Sequence, residues 1–174
     1  AHGVQGACRA VPMSPECFSG LRAARPGEAM ADKVGYQRAI GSLLHLAQCT
    51  RPDIALPVGA LAAYASAPSE AHYEAMLDVV AYVGSTAGRG VIYGGSDKSL
   101  GFWCDANFAA CQDTRRSTTG WVVVMYGGAV SWASKKQPTT AASTIDAEYQ
   151  ACGAAARGGL SLIKALGKIA LLSS

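Results

Sequence analysis

Apolar residues recur at three- and four-residue spacing between Tyr36 and Gln48, where Ile40, Leu43, Leu44 and Ala47 mark one face of a helix. Thr50-Arg-Pro-Asp53 breaks the pattern, because proline disfavours helix in the residue before it and suits the first turn of the next. A second helix is expected from Asp53 to Tyr64. A third opens at Pro68-Ser69-Glu70 and runs to about Val83, with Ser69 as N-cap and Glu70 and Glu74 near its positive end. Beyond Gly84–Gly88 the period changes to that of a strand. Gly90–Tyr93 is a short apolar run, and Gly94-Gly95-Ser96-Asp97 has turn chemistry. Leu100, Phe102 and Cys104 then alternate with Gly101, Trp103 and Asp105, which puts Asp105 on the sheet face opposite Phe102 and Cys104. Thr119–Tyr126 is almost continuously apolar, as in a strand covered on both faces. Gly127-Gly128 signals a hairpin, with Ala129–Ser134 as the returning antiparallel strand. Lys135, Lys136 and Pro138 end it. Ser143 caps a last helix with Asp146 at its third position, close to a capping box. Gly158-Gly159 is expected to interrupt this helix, and Leu160–Leu172 to resume it.

Helices first and antiparallel strands afterwards give an α+β fold: an irregular, poorly packed opening over residues 1–33, a helical region over 34–88, and a sheet-containing part over 89–174. Composition adds little to this. Half the 174 residues are apolar and 16% are charged, which suits a globular body and excludes a disordered chain. The net charge of +3 permits contact with a polyanion without requiring it. Six scattered cysteines (Cys8, Cys17, Cys49, Cys104, Cys111 and Cys152) form no C-x-x-C pair, which points to reduced, mostly buried thiols of an intracellular protein, with zinc binding or disulfides as the alternatives. The opening Ala1–Gly6 lacks the pattern of a signal peptide, and the uncharged run Ile54–Ser69, broken by Pro57 and Pro68, is too short for a membrane span.

The chemistry concentrates between Leu100 and Tyr149. Asp105 ends the first alternating run, and Glu148 lies early in the last helix, where the cap accounts for Asp146 but not for Glu148. One carboxylate on a sheet and one on a helix is a common way to assemble a metal-dependent phosphodiester site. Arg115, Arg116, Lys135 and Lys136 lie in loops flanking it, where they are either phosphate contacts or solvated loop ends. Ser143 and Thr144 are candidate contacts to a nucleic-acid backbone, although capping alone explains Ser143. Trp103, Trp121 and Trp132 suit core packing better than base stacking, and His2, His45 and His72 have no partner at ligand spacing.

Five stretches carry a resemblance: Tyr36-Gln-Arg-Ala-Ile-Gly-Ser-Leu-Leu-His-Leu, Thr50-Arg-Pro-Asp-Ile, Asp113-Thr-Arg-Arg-Ser-Thr-Thr-Gly, Val130-Ser-Trp-Ala-Ser-Lys-Lys-Gln and Ala147-Glu-Tyr. In this order and spacing the chain resembles the carboxy-terminal part of a copia-type retrotransposon Pol polyprotein, from the connection after the reverse transcriptase into the ribonuclease H domain. The resemblance implies a mixed, ribonuclease H-like sheet whose first three strands are antiparallel. It implies hydrolysis of the RNA strand of an RNA–DNA hybrid by two Mg2+ (or Mn2+) ions during reverse transcription, with Asp105 and Glu148 as catalytic metal ligands. Selection of RNA through its 2′-hydroxyl, and an intracellular setting in a cytoplasmic particle or the nucleus, follow from the same resemblance.

Three departures from the family pattern matter. Its Ser-Asp-x-Asp reads Cys104-Asp-Ala-Asn107, its Glu-Ala-Glu-Tyr reads Asp146-Ala-Glu-Tyr149, and no acidic residue follows Glu148 to serve as the third ligand. The expectation is therefore a fragment of a longer enzyme or a decayed copy. Its partners would be a hybrid duplex and either the rest of the polyprotein or another protein covering the final helix. The alternative is an inactive nucleic-acid-binding or scaffold subunit.

Overall fold

The computed structural model describes residues 10–96 and 99–172; His2, Cys8 and Asp97, along with the opening Ala1–Gly6, lie outside the described residues. The architecture is mixed α and β, in two compact units: Ala1–Gly90 with Cys111–Thr114, and Val91–Ala110 with Arg115–Ser174.

The first unit is helical, with α1 (Pro15–Gly20), α2 (Lys33–Cys49), a 3-10 turn (Pro52–Ile54), α3 (Ala55–Ala62) and α4 (Glu70–Ser85). Helix α2 begins where Asp32 Oδ1 accepts the Val34 N–H at 3.1 Å, and it buries Tyr36, Ile40, Leu43 and Ala47. These meet Ile54, Val58 and Leu61 on one side and Met76 and Val79 on the other, in one continuous core. Burying each such large side chain contributes roughly 1.5–3 kcal/mol. The Tyr36 hydroxyl reaches the Leu61 carbonyl at 2.8 Å, so this buried phenol has a partner, and burial pushes its pKa well above the usual value.

Two polar devices close the unit. Arg51, only 4% exposed, sends its guanidinium to Asp53 (2.8 Å), to the Thr86 carbonyl (3.0 Å) and to the Thr86 hydroxyl (2.7 Å). The Tyr82 hydroxyl donates to the same Asp53 carboxylate at 2.9 Å. The Arg-Pro-Asp stretch thus does more than break a helix: it clasps the chain between α2 and α3 to the end of α4. At the start of α4, Ser69 and His72 form a capping box with histidine in place of Glu or Gln, the Ser69 N–H donating to His72 Nδ1 at 3.0 Å. His72 is buried and stacked on Tyr64 at 4.2 Å between ring centroids, which makes its role structural.

The opening segment is better packed than its prolines suggest. Leu21 joins the core, the Ala31 N–H donates to the Pro68 carbonyl at 3.0 Å, and the Glu70 N–H donates to the Ala29 carbonyl at 3.2 Å. Asp113, in the short piece Cys111–Thr114 that belongs to this unit, accepts the Ala23 N–H at 2.9 Å and the Tyr64 hydroxyl at 3.0 Å.

The second unit is an antiparallel sheet in the order β1 (Gly101–Asn107), β2 (Thr118–Met125), β3 (Gly128–Lys136), with the long helix α5 (Thr144–Leu172) on one face. Cys104 pairs with Trp121 and Asp105 with Gly120, while Lys135 and Lys136 pair with Thr119 and Thr118. The hairpin turns at Tyr126-Gly127, one residue before the expected Gly127-Gly128, because both turn residues take positive φ (53° and 76°) as a primed turn requires. Gly90–Tyr93 is not a strand; the Gly94 and Gly95 N–H groups instead cap the hairpin turn at the Tyr126 carbonyl.

Four further expectations need correction. Helix α5 runs unbroken through Gly158 and Gly159. A Cβ at Gly158 would stand 2.6 Å from the Trp121 ring, and one at Gly159 would collide with Phe102, so the two glycines let the helix lie on β2 and β1. Together with buried Ala147, Ala151 and Ala155 at four-residue spacing, they form the surface that meets the sheet. Strand β2 is buried on that face, at Thr119 and Val123, and not on both. On the other face Trp103 is 57% exposed, so it is not a core residue. The described cysteines are not buried either: Cys17, Cys104 and Cys111 are half-buried, and Cys49 and Cys152 are exposed.

Candidate functional site

Alternation along β1 turns Phe102 and Cys104 toward α5 and leaves Asp105 exposed, at the edge of the sheet. Position 148 is two residues past the third helical position of α5. Its helical start is secured by the Ser143 hydroxyl, which accepts the Asp146 N–H at 3.1 Å. Asp146 returns a bond to the Ala142 N–H at 2.9 Å, one residue before the cap, which completes a variant of the expected capping box. Gln137 then ties the helix to the sheet: its side-chain amide donates to Thr119 Oγ1 at 3.0 Å and to the Ala147 carbonyl at 2.9 Å.

This positioning brings Glu148 to β1. The Ala106 N–H donates to Asp105 Oδ1 at 2.9 Å and to Glu148 Oε1 at 3.3 Å, so two carboxylates converge on one backbone donor. Beside them the thiols of Cys104 and Cys152 lie 3.4 Å apart. The Cys104 thiol is pushed up first by that contact, then by burial, with the negative charges of Glu148 and Asp105 adding to it.

The donor set is one of hard oxygens, suited to Mg2+ or Mn2+, which bind through one or two carboxylates and keep several waters until a phosphate arrives. No group of three or more His, Cys, Asp or Glu side chains among the described residues forms a fuller cage. The residues fit one hydrated ion, therefore, and two ions would need further oxygen donors.

The basic residues divide into two sets. Lys135 and Lys136 are the exposed end of β3 and not loop residues as expected, because the ladder with β2 continues through both. Arg115 and Arg116 are exposed in the loop before β2, with Arg115 at φ 53°. Ser143 is engaged in capping, and Thr144 is exposed in the first turn of α5. What sequence reasoning missed was Ala106, whose contribution is a backbone N–H and carries no residue signal, and the Cys104–Cys152 contact, whose partners are 48 positions apart. Among the described residues no helix is long and apolar enough to cross a membrane.

No protein-family model and no solved structure matches the chain. Curated relatives do. The chain is 43% identical over 117 residues to the retrovirus-related Pol polyprotein from transposon TNT 1-94 of Nicotiana tabacum, an alignment covering 67% of this chain and 9% of that protein. It is 34% identical over 140 residues to the Pol polyprotein from transposon RE1 of Arabidopsis thaliana, covering 80% of this chain and again 9% of the relative. A third relative, secreted RxLR effector protein 161 of Plasmopara viticola, is 41% identical over 120 residues, and 84% of its length is covered. The chain thus spans 9% of the length of these two transposon polyproteins.

Proposed function

We propose that this chain, whose relatives include retrovirus-related Pol polyproteins from transposons, is the ribonuclease H module of such a polyprotein, hydrolysing the RNA strand of RNA–DNA hybrids during reverse transcription. The observation that carries this reading is the convergence of Asp105 and Glu148 on the Ala106 N–H. The order of elements, three antiparallel strands followed by a helix bearing the second carboxylate, is that expected of the first part of a ribonuclease H-like sheet.

In this reading Asp105 and Glu148 hold Mg2+ or Mn2+. When bound, such an ion makes a coordinated water more acidic and neutralises charge on the phosphate under attack. The chain's own residues do the rest. The Ala106 N–H orients both carboxylates before substrate arrives, and a preset geometry avoids reorganisation during the reaction. Arg115, Arg116, Lys135 and Lys136, with Ser143 and Thr144 at the helix start, meet backbone phosphates, where positive N–H and O–H donors position a duplex without reading its sequence. Selection of RNA rests on contact with the 2′-hydroxyl.

The test is cleavage of a labelled hybrid by the full chain with Mg2+ and then Mn2+, beside Asp105→Asn. Metal-dependent cleavage that disappears in the variant supports the reading. An intact hybrid in the presence of folded protein refutes it for this chain. The second reading, an inactive nucleic-acid-binding or scaffold subunit, is favoured by the limit of two carboxylates and by an apolar stripe of α5. There Leu160, Ile163, Leu166 and Ile169 are 37–62% exposed, a face suited to covering by the rest of a polyprotein or by another protein.

A further inference from the structure

On the β3 side of α5 lies a groove of about 450 Å³, formed by the end of β3, the start of β2 and the outer flank of the helix. Trp121 and Tyr149 contribute aromatic surface, the latter 76% exposed. Lys135, Lys136 and Arg157 contribute three cationic side chains, and no Asp or Glu lines it. Gln137 stands in its lining with both N–H bonds of its amide spent inward on Thr119 and Ala147. Its Oε1 is buried without a hydrogen-bond partner among the described residues.

We infer that this groove is a binding site for a single strand of nucleic acid, separate from the carboxylate pair and on the opposite flank of the same helix. The chemistry is that of single-strand recognition. Aromatic faces stack on bases of any sequence, and cations spaced along the groove track the phosphates. A small anion would use the cations and leave Trp121 and Tyr149 idle, whereas an apolar segment of protein would make no use of Lys135 and Arg157. Gly153 adds to this, since the absence of a side chain there leaves the helix flank open between Gln150 and Arg157. A strand lying here would extend beyond the base-paired portion held at Asp105 and Glu148, so the groove suits the unpaired continuation of a hybrid. This last assignment rests on the function proposed above; single-strand binding itself does not.

The test is fluorescence anisotropy with a fluorescein-labelled single-stranded oligothymidylate, using the full chain and the variants Tyr149→Ala, Lys135→Gln and Arg157→Gln, all altered at exposed positions and checked for folding by circular dichroism. Tyr149→Ala is expected to weaken binding about fivefold or more, as loss of one stacking platform does. Each charge variant is expected to lower the slope of log affinity against log salt by about one. Unchanged affinity and slope in all three variants overturn the inference, even where Asp105→Asn abolishes hybrid cleavage and the proposed function stands. Weakened binding in the variants upholds it, even where the unaltered chain leaves the hybrid intact and the proposed function falls. Binding of polyglutamate in place of the oligonucleotide overturns it in favour of an acidic protein partner.

Discussion

Asp105 and Glu148, 43 positions apart in the chain and carried by a strand and a helix, accept hydrogen bonds from the same N–H, that of Ala106. The relationship assigns the two acids equal weight. Asp105→Asn and Glu148→Gln, which keep shape and remove charge, are each expected to lower any metal-dependent hybrid cleavage by more than about 100-fold, beyond the effect of altering an outer-sphere group. Because Asp105 is exposed and Glu148 only half-buried, thermal unfolding should move little in either variant. A variant that retains full cleavage removes its residue from the site.

The capping histidine makes the helical unit sensitive to mild acid. His72 Nδ1 acts as an acceptor for Ser69, and burial holds the imidazole below its ordinary value of 6.5, so the folded state keeps it neutral. The unfolded chain then binds the proton more readily. Stability from this group is complete above pH 6.5 and is lost as the pH falls through the depressed folded value. Denaturation midpoints measured from pH 8 to 5 should decline, and His72→Gln, which keeps an acceptor and cannot titrate, should flatten that part of the decline.

Removal of the Arg51 clasp should be costly. Arg51→Ala strips Asp53 of its cation and leaves the Thr86 carbonyl without the guanidinium donor, a loss of about 2–3 kcal/mol after allowance for the partial exposure of Asp53. Arg51→Lys should recover only part, since a single ammonium cannot span both Asp53 and Thr86 as the guanidinium fork does. Urea denaturation followed by far-ultraviolet circular dichroism provides the measure. Asp53, held below its usual value of 3.8 chiefly by the Arg51 hydrogen bonds, adds an acid limb: its contribution is present above that value and lost below it.

The contact between α5 and the sheet yields a prediction about packing. Gly159→Val drives a branched side chain into Phe102 and should cost about 1–3 kcal/mol by overpacking. Phe102→Ala in the same chain should return part of that loss, and the double-mutant cycle isolates the coupling. An additive pair of effects would show that the helix and Phe102 do not touch.

Legibility followed the range of the interactions. Helix α2 and strands β1 to β3 announced themselves through local periodicity, and Ser69 and Ser143 through capping chemistry, because those signals depend on neighbours in sequence. Alternation tells which residues share a face and not which face is covered, so it does not reveal that Trp103 is exposed. Arg51 read as punctuation beside Pro52, since its partner Thr86 lies 35 positions away. Asp105 and Glu148 were legible as residue types, but their meeting at Ala106 depends on how α5 crosses β1, which no local pattern encodes. The glycine pair misled for a related reason: intrinsic propensity argues for a break, and the ring of Trp121 argues for a glycine.

That pair has a consequence for how α5 forms. Two adjacent glycines each cost a helix about 1 kcal/mol relative to alanine, so the continuity of Thr144–Leu172 is imposed by the sheet and is not intrinsic to the segment. Amide protons around Gly158 should therefore exchange by the same cooperative opening that separates helix from sheet, and a peptide of this sequence alone should be frayed at its middle. In the intact chain the least helix-prone point of α5 becomes its most direct reporter of whether the strands beneath it have assembled.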